Sequence, residues 1–519
     1  MDSETTANHR PLLISQIEPP QREDGGDYYY RTHAPGVAMS AEEEGVYVIN
    51  LTNVHRKREE IIRISDVLIL NNICDPDMLP FIKDRKARKK LTVYELGDDL
   101  CAIPPWNPLY FFYENKENLF LFKRLANYCD ALQFSVPELR KLYGYLNPNS
   151  AVFPNQILDV PSKRDVGHYG EVIIGWGGSH GHHEDMAKVA EPLIDWIISR
   201  ENVSLYLMCS DPIWQLFDHL PTARKQRFKT GSLNAYYQFL NKIHIGLAPL
   251  NDTQFNRSRS DVKFLEYAIH EVVPVVQFLA PYASSVKHGE TGFVFENSKE
   301  LLNLLGLLSN NVDLIRKVGR AARNYVLKNR LQHQHAKKRI EFYKQSLENL
   351  KPGMKSEDEI TKVFEALAKH EGAVCNGRHL RLASARFEKL LHDGLVLNQI
   401  ERNKSSANRL FSMAAEIEKQ NYLPYLFGSS CSDDAIISLK EAVNKNPNSL
   451  KSLVLLGETY ARKGDIVKSL QCFESAAQIF PEYEIPYVRT EALLRMIGHE
   501  KESIGLRRKA EDLMSLLIQ

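Results

Sequence analysis

Lys263, Glu266 and Tyr267 stand at i, i+3 and i+4 in the run DVKFLEYAIHEVVPVVQ, so on a helix they share one face. Upstream, the apolar residues 245–249 enter a polar loop that carries Asn256, Arg257, Arg259 and Ser260; downstream, residues 272–276 read as a buried strand. Loops after strands, and the N-termini of the helices that follow them, gather backbone N–H groups and cations around an anion. A lysine for phosphate beside a carboxylate for ribose hydroxyls is the pairing that a nucleoside-diphosphate site needs, which points to nucleotide-sugar chemistry.

Two further clusters have chemical potential. IIGWGGSHGHHEDM, residues 173–186, ends a buried strand in glycines and passes into a helix, so bare N–H groups at Gly177, Gly178 and Ser179 can approach a pyrophosphate. His180, His182 and His183 are three imidazoles in four positions, yet no cysteine or further histidine stands at ligand spacing, and no metal is expected. His182 is expected to cap the helix or orient a donor. In VYELGDDL, residues 93–100, Asp98 and Asp99 follow a strand. Two adjacent carboxylates are costly to bury together, so at least one should face a cleft or a cation. There it would orient an acceptor hydroxyl or move a proton, whereas in a plain turn both would be solvated.

Such residues need a scaffold, and 519 residues suggest roughly three domains. Strand-like segments at 11–17, 45–51, 66–70, 91–96, 131–135 and 150–153 alternate with helical stretches, a rhythm that implies a mostly parallel, helix-flanked sheet. A polar hinge at 159–170 precedes a second set at 171–176, 203–208, 228–230, 243–249, 272–276 and 292–295, closed by helices from 299 to 350. Lys351-Pro352-Gly353 marks the next boundary, and everything from Ser356 on reads as helical. There Leu453, Leu456, Gly457, Tyr460, Ser469, Phe473, Ala476 and Pro481 fit a 34-residue tetratricopeptide unit, with Ala442 and Ala510 in register on either side. The expected domains are therefore 1–165 and 166–350, both Rossmann-like α/β units, and 351–519, an all-α helical-repeat domain.

Bulk properties exclude several classes. A net charge of +1 argues against a dedicated nucleic-acid binder. No apolar run approaches the roughly 18 residues of a membrane span. Residues 1–10 are polar without an apolar core behind them, so no signal peptide is expected. Seven scattered cysteines without CxxC spacing fit a reduced, cytoplasmic protein that lacks structural zinc.

Over roughly residues 28–347 these motifs resemble the GT-B glycosyltransferases, especially the retaining enzymes of family 4 and the glycosyl transferases group 1. FNRSRSDVKFLEYAIHEVVPVV looks like the family's FNxxKSxxKxLEYxAxGxPVV pattern. That likeness implies Lys263 on the donor diphosphate, Glu266 on the ribose with Tyr267 beside it, and Asn256, Arg257 and Ser260 at the sugar-phosphate end. The glycine-rich run is similar to GWxGSxxHxxDL, with His182 and Asp185 in place; VYELGDDL resembles a YExDDD element. SAVFPNQILD resembles VIPNGID, with Gln156 replacing the glycine and Asn155 expected in the interdomain crevice. Gly25-Gly26-Asp27 and Tyr30-Arg31 fill the first strand–helix loop, where Arg31 either meets an anionic group or lies on the surface. One departure stands out: the first glutamate of the Glu-x7-Glu signature is Ser258 here.

The resemblance implies transfer of a sugar from a nucleoside-diphosphate sugar to a glycan, lipid-linked or protein acceptor, with retention and without a metal or resident cofactor. Asp98, Asp99 and Lys263 are the catalytic candidates. A protein partner is expected on the helical repeats, and the basic run KDRKARKK at 83–90 is either a solvated helix or a peripheral contact at the inner face of a membrane. Two other readings compete: a non-catalytic repeat scaffold with a degenerate transferase half, favoured by Ser258, and a GT-B nucleotide-sugar epimerase.

Overall fold

The computed structural model describes residues 11–20, 25–162, 170–351, 353, 355–432 and 434–518. The polar N-terminus at 1–10 and the core of the expected hinge, 163–169, lie outside the described residues.

β1 (Leu12–Glu18), β2 (Val46–Thr52), β3 (Val67–Asn71), β4 (Leu91–Leu96), β5 (Ala131–Phe134) and β6 (Ser150–Val152) form one parallel sheet in the order β2-β1-β3-β4-β5-β6. Every residue of β1 to β4 is buried, which is why these strands read as short apolar runs without alternation. A second parallel sheet holds β7 (Val172–Gly177), β8 (Val203–Met208), β9 (Lys225–Phe228), β10 (Ile245–Ala248), β11 (Val273–Gln277) and β12 (Phe293–Phe295) in the order β12-β11-β10-β7-β8-β9. Strand order reverses between β1 and β3 in the first sheet and between β7 and β10 in the second. Loops at the carboxyl ends of strands flanking such a switch point are where open α/β sheets bind ligands. The glycine-rich run follows β7 and the Asn256–Lys263 region follows β10, so both stand at that position.

Three expectations need correction. The strand placed at 228–230 is β9, which ends at Phe228. The stretch after Ser356 is not wholly helical: β13 (Ala373–Asn376) and β14 (His379–Leu382) make a hairpin, and β14 adds in parallel to β2, widening the first sheet to eight strands. The helix His333–Leu350 does not close the second half. Its apolar stripe of Ala336, Ile340, Tyr343 and Leu347 packs with Leu12, Ile14, Val67 and Val93 of the first sheet, and Tyr343 Oη donates to Gln133 Oε1 at 2.7 Å. The chain therefore crosses between the sheets twice, and the crossings run side by side: Ile157 N donates to Arg330 O at 2.9 Å and Gln332 N to Ile157 O at 2.7 Å.

The helices Leu450–Arg462, Ile466–Ile479, Ile485–Met496 and Glu500–Ser515 pack consecutively. Gly457 makes room for the Phe473 ring, and Ser469 Oγ donates to Gly457 O at 2.7 Å. Ala442, Ala476 and Ala510, spaced 34 apart, are all buried. One face of this array shares a core with the first domain, Leu453, Phe473, Phe480 and Tyr483 meeting the cluster that holds Leu79, Ile82 and Phe122. The basic run at 83–90 borders this contact, with Arg85 buried and Lys83, Lys86, Arg88 and Lys89 exposed. Lys83 sits over the Phe480 ring and Lys86 over Tyr128, while Arg85 is buried and donates to the carbonyls of Ile62, Ser65, Asp66 and Leu91. Among the described residues no helix is long and apolar enough to cross a membrane.

Candidate active site

On the second-domain side, the glycines after β7 are required by close packing. A Cβ at Gly177 would come 2.7 Å from the Tyr236 ring, and one at Gly178 would come 2.6 Å from the Trp176 ring. Ser179 is exposed at the turn, and the chain then enters the helix His183–Ile198. Lys263, on the helix Val262–Ile269, donates to Tyr236 Oη at 2.9 Å and to Glu266 Oε2 at 3.4 Å, with its ammonium 4.5 Å from the centre of the Tyr236 ring. Tyr236 thus stands between the lysine and the glycine loop. Burial pushes the Lys263 ammonium below its usual range, and Glu266 opposes that shift.

His182 Nδ1 lies 2.8 Å from Asp185 Oδ2. Burial, and then the positive charge of Arg259, push its pKa down to about 4, so the imidazole is neutral at pH 7. Asp185 Oδ1 accepts from Asn251 N at 2.7 Å and Asn256 Nδ2 at 2.9 Å, which staples the loop after β10 to the first turn of the helix after β7. Lys263, Arg259 and the N–H groups opening that helix give this wall a positive character.

Hydrogen bonds tie the first domain to this wall. Tyr30 Oη donates to Glu266 Oε1 at 3.1 Å, Asn155 Nδ2 to Ser260 Oγ at 2.9 Å, Gln254 Nε2 to Asp99 Oδ2 at 2.8 Å, and Trp106 Nε1 to Gly181 O at 3.2 Å. Behind them Arg31 is buried, not on the surface: its guanidinium meets Glu95 and donates to Phe153 O and Asn155 Oδ1, each at 2.8 Å. Burial, and then the nearby Asp98, raise the Asp27 pKa, and Asn71 Nδ2 donates to Asp27 Oδ2 at 3.3 Å.

The structure brings Gly177, Gly178, His182, Ser260, Lys263 and Glu266 together at the interdomain crevice, with Asn155 reaching Ser260 from the other side. Other expected residues lie elsewhere. Arg257 ends a short helix and points to solvent, paired with Asp252 at 2.8 Å. Tyr267 is 0% exposed; its ring covers Gly246 and its hydroxyl donates to Leu247 O at 2.7 Å, so it belongs to the core. Asn256 is spent on Asp185. Asp99 is buried between Tyr143, Gln254 and Cys101 N, which makes it a bridge between the domains, while Asp98 stays half-buried. Among the described residues no group of three or more His, Cys, Asp or Glu is disposed to hold a metal ion. Sequence reasoning missed Tyr236 as a site residue, and it placed Asp27 and Tyr30 in the first strand–helix loop without giving their side chains a role. The local signal for Asp27 was present, because it follows two glycines at the opening of a helix after β1.

No family model and no curated sequence matches the chain. Among solved structures, it is similar to HepE from Anabaena in complex with UDP and glucose, at 13% identity over 64% of this chain and 100% of that one, with a TM-score of 0.48. It is also similar to sucrose-phosphate synthase from Thermosynechococcus elongatus, at 14% identity over 64% of this chain and 98% of that one, with a TM-score of 0.47. A glycosyltransferase from Rickettsia africae matches at 13% identity over 65% and 99% of the two chains, with a TM-score of 0.46. At such distances the functional reading rests on the site itself.

Proposed function

We propose that this protein is a glycosyltransferase that takes a sugar from a nucleoside-diphosphate donor held in the crevice between its two α/β domains. The observation that carries this reading is the Lys263–Glu266 pair, one helical turn apart at the crevice, with the glycine loop of Gly177 and Gly178 on the far side of Tyr236. The lysine, Arg259 and the loop N–H groups face the diphosphate, and Glu266 takes the ribose hydroxyls. These cations stabilise the charge that develops on the departing phosphate, so no resident metal is needed. Transfer proceeds with retention, and the acceptor, a glycan, a lipid-linked sugar or a protein, enters from the first-domain side. The C-terminal helices are tetratricopeptide-like repeats whose outward surface takes a partner.

The test is a thermal-shift panel of UDP-, GDP-, ADP- and CMP-sugars, since a ligand that binds the native state raises its melting temperature. One base is expected to stand out, and Lys263→Ala is expected to lower turnover by about 10²–10³-fold, the usual cost of one charge-stabilising donor. Turnover with a confirmed donor should survive chelation of divalent metals. Unchanged turnover in Lys263→Ala overturns the assignment. A second reading, a repeat scaffold on a silent transferase half, is favoured by Ser258, whose hydroxyl is turned onto Gln254 O at 2.7 Å and leaves no carboxylate there. A panel in which no sugar nucleotide binds would select it.

A further inference from the structure

Between β4 and the helix Lys116–Tyr128 the chain makes a long connection in which residues 100–113 carry no charged side chain. It leaves the carboxyl end of β4, where Asp98 and Asp99 stand, and touches the second domain where Trp106 Nε1 donates to Gly181 O. From there it turns outward through Pro108-Leu109-Tyr110-Phe111-Phe112. Leu109 is 54% exposed, Phe111 79% and Phe112 46%, with Pro105 and Pro108 exposed beside them. A single exposed apolar residue needs no explanation. Three within four positions, at the mouth of a crevice, form a patch of the kind that meets an apolar partner.

The tip is pinned, and its backbone is largely satisfied. Leu109 N donates to Asn107 Oδ1 and Tyr110 N to Asn107 O, both at 2.9 Å, and Phe112 N donates to Leu109 O at 3.1 Å. Phe112 O accepts from Asn118 Nδ2 at 2.7 Å, while Pro105 and Pro108 have no N–H to satisfy. Tyr113 is buried and meets Phe122 edge to face at 6.5 Å, which anchors the turn in the first-domain core. These polar groups go into a hydrocarbon boundary already paired, so desolvating them costs little.

Shape and charge select the partner. A side chain as exposed as Phe111 stands on a convex point. A protein would have to meet that point with a matching pocket, whereas the headgroup boundary of a bilayer yields around it. The first charges beyond the tip, Glu114 and Lys116, are of opposite sign, so nothing there favours anionic lipid. The exposed lysines of the run at 83–90 are a separate place. Lys86 rests on the ring of Tyr128, at the far end of the helix that Lys116 opens, and a helix of that length spans about 20 Å.

We propose that Leu109, Phe111 and Phe112 dock this protein on a lipid surface of no net charge, with the mouth of the crevice turned toward that surface. The acceptor is then one presented there, a lipid-linked sugar among the classes named above, a consequence that rests on the glycosyltransferase reading.

The experiment floats the full chain with vesicles of pure phosphatidylcholine, and in parallel with vesicles that also contain phosphatidylserine, at low and at high salt. Wild type is expected to bind both alike and to keep binding in salt, because no charge pairing is involved. Phe111→Ser is expected to lower the partition coefficient by about 10- to 100-fold, the worth of one buried aromatic side chain. Phe111→Trp keeps it, since indole suits the same boundary. Phe111 lies outside the core, so both variants are expected to melt as wild type does. Three results overturn the inference: no binding by wild type, binding that requires phosphatidylserine and is lost in salt, or wild-type binding by Phe111→Ser. The second of these would move the contact to the lysines at 83–90. The transferase reading is scored apart, on the melting-temperature shift with sugar nucleotides in the absence of vesicles. Failure to bind vesicles leaves that reading standing, and failure of the donor panel removes the acceptor assignment but not the docking.

Discussion

Glu266 is 5% exposed, and its two oxygens are already engaged, one by the Tyr30 hydroxyl and the other by the Lys263 ammonium. If ribose hydroxyls are to reach this carboxylate, Tyr30 is the partner they displace. Removing that hydroxyl alone leaves a buried carboxylate oxygen short of a donor in the unliganded protein but not in the complex. Such a group costs about 1–3 kcal/mol, so Tyr30→Phe is expected to tighten sugar-nucleotide binding by roughly 5- to 150-fold. Isothermal titration measures it; weaker binding would mean that Tyr30 stays on the carboxylate in the complex. The Lys263–Glu266 pair was legible because i, i+3 spacing leaves little freedom on a helix. Arg257 and Arg259 were not separable from sequence, since a short helix ends between them at Arg257, turning the first outward and leaving the second near His182 and Lys263. Tyr267 misled for a related reason: a helix between core and crevice is wetted along a narrow stripe, and one further step of about 100° carries a side chain into the sheet.

Strands β1 to β8 and β10 to β12 were legible as elements because each is a short apolar run bounded by turn residues. The hairpin was not, because β13 is mostly exposed and has no apolar alternation, although Asn376-Gly377 lies at its turn. Gly377 has φ +58, and with Arg378 it makes the whole loop between the paired residues Asn376 and His379. A side chain there meets nothing within 4 Å, so the cost of Gly377→Ala is backbone strain alone, about 1–2 kcal/mol. Urea unfolding should register that loss in the midpoint. A shift below 0.3 kcal/mol, within the scatter of neutral surface changes, would mean that the hairpin adds little to the sheet. The partner of the helix His333–Leu350 was also illegible. An amphipathic pattern shows that one face is buried, not which of two sheets buries it.

At the scale of the whole molecule, Asp77 is one of the buried carboxylates that join the C-terminal helices to the first domain, Glu484 on Arg124 being another. Asp77 precedes the helix Met78–Ala87 of the first domain and accepts from Tyr422 Oη at 2.6 Å, Ser449 Oγ at 2.8 Å and Lys451 N at 2.9 Å. Tyr422 also meets the buried Arg58, which pairs with Asp75 at 3.5 Å. Burial, then the charge of Asp75, raise the Asp77 pKa, so the site tolerates its charge only while those donors are present. The apolar part of the same interface, Phe480 and Tyr483 against the first-domain core, would hold the helices in place without specifying their register. Asp77→Ala removes the acceptor from two hydroxyls and one N–H at once and leaves Arg58 and Tyr422 under-satisfied. Loss of one member of a buried ionic network costs about 3–5 kcal/mol. If the helical array is a unit docked through this point, hydrogen exchange in Asp77→Ala should accelerate across residues 435–515 while β7, β10 and β11 keep wild-type protection. Donor binding, which belongs to the crevice, should be retained. Uniform acceleration throughout the chain would instead show that the helical array and the two α/β domains unfold as one, and that the array is not a docked module.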